Sequence, residues 1–178
     1  MITSIDAFLR YFDGVNRRAI RDVGKLPVEA EAWQPPSGAG EGAWNIGEIV
    51  KHMAMSRLFF ASAYRGEGWQ ATPWPQPTGT REQWHDALVS SAEQLRSALA
   101  GTPDAWLSRK AQPLGAGDPP VSGWRLLLMM TEHDVHHRSQ IDTYAGVMGW
   151  PVAHIYGRSA EEVGLMLRDA GNPRSSSS

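Results

Sequence analysis

The feature that most constrains this chain is one long stripe of apolar and imidazole side chains. Leu126, Met130, His133, His137, Ile141, Tyr144 and Met148 recur in steps of three and four, the spacing at which side chains share a face of an α-helix. Ser122 before the stripe and Gly149-Trp150-Pro151 after it bound a helix from about Gly123 to Gly146 or Gly149. An amphipathic helix of that length must bury its stripe against other elements. His133 and His137 lie one turn apart on the core-facing side, so their rings are neighbours. Spacing alone leaves two readings open. The pair is satisfied by hydrogen bonds to polar neighbours, or its two imidazoles share one metal ion. His136 is rotated about 100° from His137 and is the weaker candidate.

The remaining apolar positions follow the same period. Ile5, Phe8, Leu9, Phe12, Val15, Ala19 and Val23 predict a first helix from Thr3 or Ser4 to about Lys25, ended by Leu26-Pro27. Asn45 with Glu48 forms a capping-box pattern that opens a second helix through Ile46, Ile49, Val50, Met53, Phe59, Phe60 and Ala63. Thr80 with Gln83 opens a third, carrying Trp84, Ala87, Leu88, Ser91, Leu95, Ala98 and Leu99 up to Gly101. Ser159 with Glu162 opens a short final helix through Val163, Leu165, Met166 and Leu167. No strand alternation, dinucleotide-binding glycine pattern or internal repeat interrupts this reading. The expected fold is therefore all-α: a four-helix bundle with a short additional C-terminal helix, one domain over residues 1–172 and a disordered serine-rich tail at 173–178.

Between the helices lie breaker-rich connections at 34–44, 66–79 and 110–121. The second, dominated by Gly, Pro and Trp, is long enough to run the length of a bundle, so a crossover replaces simple up-and-down order. Substrate-lining residues are expected from these three connections. Trp33, Trp44, Trp69 and Trp74 lie in or beside them and are expected to cap a bundle end.

Composition excludes several classes of function. With 178 residues, 42% of them hydrophobic, the chain is large enough for a sizeable core, and it has no apolar run that would span a membrane. The formal net charge of -2, with both signs mixed along the chain, supplies no basic stripe for nucleic acid. The absence of cysteine removes disulfides, thiolate-zinc sites, iron-sulfur clusters and a cysteine nucleophile. Any thiol chemistry must bring its own thiol. The N-terminal residues lack a secretory signal pattern, so the cytoplasm is the expected compartment.

His52 falls on the second turn of the second helix, between Ile49 and Ser56 on a face that also carries Phe59. Taken alone, such a histidine is more often a core or boundary residue than a ligand. If it converges with His133 and His137, three neutral imidazoles hold one divalent ion and leave positions open, as in a catalytic rather than a structural site. Zinc is the leading expectation for three nitrogens, with nickel, iron and manganese as alternatives. Asp134, Glu132 and Gln140 are candidates to orient the imidazoles, although each also suits a solvated helix face. His85 is expected to face solvent. The His133-Asp-x-x-His137 spacing approaches that of zinc proteases, but the aspartate is one methylene too short for the usual base. A di-iron carboxylate site is excluded on this helix, because three residues after Glu132 comes Val135.

Trp44-Asn-Ile-Gly-Glu-Ile-Val-Lys-His52, His133-Asp-Val-His-His137-Arg-Ser-Gln140-Ile, the Tyr144 to Gly149 helix end and Glu161 together resemble the DinB-like superfamily over most of the chain. That resemblance implies a four-helix bundle with one metal held by three histidines, at positions matching His52, His133 and His137. It also implies a small-molecule substrate. Some relatives are transferases or isomerases that use a low-molecular-weight thiol, many have no assigned reaction, and homodimers are frequent. Two functions are therefore expected as rivals. One is a metal-dependent enzyme that activates a small thiol. The other is a non-catalytic metal- or ligand-binding stress-response protein, favoured by the lack of an evident general acid or base in the sequence.

Overall fold

A computed structural model describes residues 2–171 except 116, 153 and 155. The expected disordered tail, 173–178, lies outside the described residues. Among those residues the chain is helical, without a strand, apart from one isolated antiparallel bridge between Lys110 and Ser122. Helices α1 (Ile5–Lys25), α2 (Ile46–Arg65), α3 (Arg81–Leu99) and α4 (Gly123–Met148) form the bundle, and α5 (Ala160–Gly171) follows.

The helix starts obey their local chemistry. Asn45 Oδ1 accepts from Glu48 N at 2.9 Å while the Glu48 carboxylate accepts from Asn45 N at 2.8 Å. Thr80 with Gln83 and Ser159 with Glu162 make the same reciprocal pairs, each satisfying backbone donors that a helix start leaves free. Ser4 caps α1 through Ala7 N. Ser122 precedes α4 as expected, but its hydroxyl makes no capping bond. α2 and α4 end at Gly66 and Gly149, both left-handed with φ of 85° and 68°, a conformation glycine adopts without a Cβ penalty.

Helix order around the bundle follows from which ends meet. Asp104, just past α3, accepts from Ile5 N at the start of α1, and Arg81 at the start of α3 donates to Leu26 O past the end of α1; α1 and α3 are antiparallel. Ile46, Ile49 and Val50 of α2 share a core with Trp84 and Leu88 of α3, whereas Ala61 and Tyr64 share one with Leu95 and Leu99. α2 and α3 are thus parallel neighbours, and the connection after α2 must return along the bundle. It does so as the expected crossover, held by Trp69 against Phe59 and Phe60 and by the buried Trp74 near the far end. Gly47 permits its close approach, since a Cβ there would overlap the Thr78 carbonyl oxygen.

Two apolar clusters fill the bundle ends. One gathers Val23, Leu26, Ile49, Met53, Trp84, Leu88, Ile141 and Ala145. The other gathers Phe8, Phe12, Tyr64, Leu95, Leu99, Leu126 and Met130. Between them runs a polar layer that periodicity did not announce. Arg57, fully buried, donates through Nε and Nη2 to Asp134 Oδ2 at 3.0 and 2.8 Å and through Nη1 to Leu88 O and Ser91 Oγ, both at 2.8 Å. Asp22 and Arg138, also buried, face each other between α1 and α4.

The α4 stripe is buried at Leu126, Met130, His137 and Ile141, but Met148 is exposed. The inward face passes instead through Ala145, one turn after Ile141. No described helix is long and apolar enough to cross a membrane.

Candidate metal centre

α2 and α4 pack against each other and bring three imidazoles to one point. His52 Nε2 lies 2.9 Å from His133 Nε2, which lies 3.2 Å from His137 Nε2, and the three ligand atoms lie within 4.8 Å of one another. An ion about 2.1 Å from each nitrogen would separate them by roughly 3.0 Å at right angles or roughly 3.4 Å at tetrahedral angles. The two measured separations fall at that spacing.

Hydrogen bonding alone does not account for the convergence. A neutral imidazole nitrogen is either one donor or one acceptor, yet His133 Nε2 faces two other ring nitrogens at once. The proton on His137 is fixed by Gln140. Gln140 Nε2 donates to the carbonyl oxygen of Glu41 at 2.6 Å and to Tyr144 Oη at 2.9 Å, so its Oε1 is the acceptor facing His137 Nδ1 at 3.2 Å. His137 therefore carries its proton on Nδ1 and turns a lone pair toward the other two histidines. If His133 Nε2 donates to that lone pair, His133 Nδ1 is left a bare acceptor. If it accepts from His52 instead, two lone pairs face each other. His133 Nδ1 is buried and has no hydrogen-bond partner among the described residues. One cation at the centre would take the inward lone pairs together and so remove the conflict at His133 Nε2, while leaving His133 Nδ1 with its proton and still without a partner among the described residues.

The electrostatics favour the neutral, ligating form. Burial lowers the His52 pKa, aided by His137 and opposed by Glu41. Burial, then repulsion from His137, His52 and His136, brings His133 down to about 3. Burial also lowers His137, while its bond to Gln140 pulls the other way. Desolvation disfavours the charged ring, and only an unprotonated nitrogen can bind a metal.

Of the residues proposed to orient these rings, Gln140 touches one. Asp134 does not: its carboxylate turns from the histidines into the Arg57 pair. That placement also removes it as the base of a protease-like site. Glu132 is exposed and binds Arg125 through both oxygens at 2.8 Å. His136 is exposed beside His137 with its ring 5.0 Å away, and His85 faces solvent beside Asp86.

Trp44 takes part in the site rather than simply covering a bundle end. Its ring lies 4.7 Å from His52 and 6.1 Å, stacked, from His137. Trp33, by contrast, packs with Tyr144 and Trp150 at the end of α4.

A cavity of about 370 Å³ opens onto the centre beside His52 and His133. Its wall is mainly Met55, Phe59, Phe60 and Ala71, with Glu41 and Ser56 as its other polar residues. The connections supply only Glu41 and Ala71, fewer than the sequence suggested; α2 supplies most of the lining. A second apolar cavity of about 320 Å³ lies across the Phe59–Phe60 pair, against Trp69, Leu114, Pro119 and Met129. Glu41 is the residue that sequence reasoning missed. It is the only charged side chain between Glu31 and Glu48, and that isolation in a glycine-rich loop was the available signal.

Fold and site define a helical bundle with a three-histidine centre that could hold a metal. The DinB family model matches residues 1–173, and the chain belongs to that family. Two solved structures share the fold. A DinB-like protein from Bacillus cereus ATCC 10987 is 18% identical with a TM-score of 0.67, over 86% of this chain and 99% of its own. A DinB-like protein from Bacillus subtilis is 18% identical with a TM-score of 0.63, over 85% of this chain and 99% of its own. No curated protein matches the sequence significantly.

Proposed function

We propose that this protein holds one divalent cation, zinc in the first instance, on His52, His133 and His137, and that it transfers or isomerises a small molecule with the help of a low-molecular-weight thiol. The observation that carries this reading is the meeting of three inward imidazole nitrogens, two of their separations at metal-ligand spacing, with an apolar cavity on one side. Three protein ligands leave a position open. A cation there lowers the pKa of a thiol or water placed against it.

The chain's own residues do the rest. Gln140 holds His137 with its lone pair inward, and Trp44 covers His52 and His137. Met55, Phe59, Phe60 and Ala71 exclude water from the cavity and take an apolar group of the substrate. Glu41, an exposed residue that lines the cavity, supplies a carboxylate that the sequence had not revealed and that would accept the proton a thiol loses. The second cavity beyond Phe59 and Phe60 offers room for an electrophilic partner, as a two-substrate transfer requires.

The test is to determine the metal content of purified protein and to assay thiol consumption with several thiols and electrophiles, with and without a chelator. One equivalent of metal and chelator-sensitive, thiol-dependent turnover are expected. A stoichiometric metal without turnover across the panel would leave a non-catalytic metal-binding protein, and absence of metal would overturn the reading altogether.

A further inference from the structure

Ser56 is placed like a contact for the incoming ligand. It lies one turn after His52 on α2, is 7% exposed, and lines the cavity with His52 and His133. Its Oγ is 3.4 Å from His52 Nε2, the nitrogen that faces the centre.

Buried hydroxyls inside helices usually bond back to a carbonyl of their own helix. The buried Ser62, Ser91 and Thr131 do so here, donating to Phe59, Leu88 and Leu127, as do the exposed Ser139 and Thr143, donating to Val135 and Ser139. Ser56 does not: among the described residues its hydroxyl has His52 Nε2 as its one hydrogen-bond partner, at a long distance. When that lone pair is engaged by a cation, Ser56 Oγ–H is left without an acceptor in a buried position. An anionic atom entering the open side of the centre would supply one.

The direction of entry is also marked. The cavity is lined by His52 and His133 but not by His137, whose side is closed by Trp44 and Gln140. A ligand therefore arrives along the Met55–Phe60 edge of α2, past Ser56.

We propose that Ser56 is a substrate-contacting residue whose hydroxyl donates a hydrogen bond to the anionic donor atom of a small ligand at the three-histidine centre, with the ligand's apolar body lying on Met55, Phe59 and Phe60. This rests on the metal-binding reading above and deepens it. The ligand class is a monoanionic donor, such as a thiolate, on an apolar group of about one aromatic ring.

Cobalt(II)-loaded protein allows the test, because its visible absorption reports both metal occupancy and ligand entry without turnover. Full-length protein, Ser56→Ala and Ser56→Thr are each titrated with phenylmethanethiol and, separately, with azide. Ser56→Ala is expected to keep one cobalt per chain while losing about tenfold in affinity for both probes, the size of one hydrogen bond to a charged atom. Ser56→Thr, which keeps the hydroxyl, is expected to recover azide binding. Unchanged affinity for both probes in Ser56→Ala overturns the proposal. So does a loss confined to phenylmethanethiol, which would mark Ser56 as a shape element only. Failure of the unsubstituted protein to bind cobalt overturns this proposal and the three-histidine reading together, whereas cobalt binding with Ser56-independent anion affinity removes this one alone.

Discussion

Gln140 decides which nitrogen of His137 is available, because its amide nitrogen is committed to Glu41 O and Tyr144 Oη and only its oxygen remains to face His137 Nδ1. The same side chain therefore ties the 40–43 turn to α4 and sets a ring tautomer. Partners of this kind are worth about 10–100-fold in metal affinity. Gln140→Ala is expected to weaken metal binding by that factor, read by competition with a chromogenic chelator. Gln140→Glu keeps an acceptor for Nδ1 and is expected to lose less. Equal affinity in all three proteins would show that the bond does not orient the ring.

Removal of any one ligand has a sharper outcome. His52→Ala, His133→Ala and His137→Ala are each expected to abolish stoichiometric metal, while His136→Ala leaves it intact because that ring lies outside the convergence. Metal analysis of the four purified variants checks this. Retention of metal in His52→Ala would remove α2 from the site.

The Arg57–Asp134 pair, 0% and 1% exposed, is an ion pair buried inside the bundle. Burial pushes the Asp134 pKa up, and Arg57 opposes that shift by charge and hydrogen bond. Removing one member strands the other, at a cost of about 3–5 kcal/mol. Arg57→Leu alone is expected to destabilise by that amount in urea, and Arg57→Leu with Asp134→Leu to recover much of it. An additive double variant would contradict the pairing.

Asp142 makes stability depend on pH. Burial, then repulsion from Asp22, raises its pKa to about 6, against the opposing pull of Arg138 and Arg21. The folded state thus binds this proton more tightly than the unfolded state, whose value is 3.8. The stabilisation is fully present below the unfolded value and is lost as pH rises from about 4 through about 6. With the carboxyl partly solvated, the effect is on the order of 1 kcal/mol. Asp142→Asn is expected to flatten the dependence over that window and to be the more stable protein at pH 7.5, by thermal unfolding at several pH values. A variant with the same pH profile as the parent would show that another group is responsible.

What the sequence determined by itself is what is local or periodic. The capping pairs Asn45–Glu48, Thr80–Gln83 and Ser159–Glu162 act over three residues, and the apolar stripes repeat every turn, so helices and their starts could be read directly. The His133–His137 pair was legible for the same reason, and His52 was legible as a candidate through its resemblance to a family pattern. Tertiary packing alone decided the rest. Arg57 meets Asp134 across 77 residues, so Asp134, one candidate to orient the histidines, pairs with Arg57 instead, because a buried guanidinium needs a buried carboxylate more than an imidazole does. Glu41 and Ser56 join the cavity only because a crossover makes α2 parallel to α3 and leaves its opposite face against α4. No periodicity encodes that choice, since a helix face is compatible with several neighbours and packing against the whole bundle selects among them.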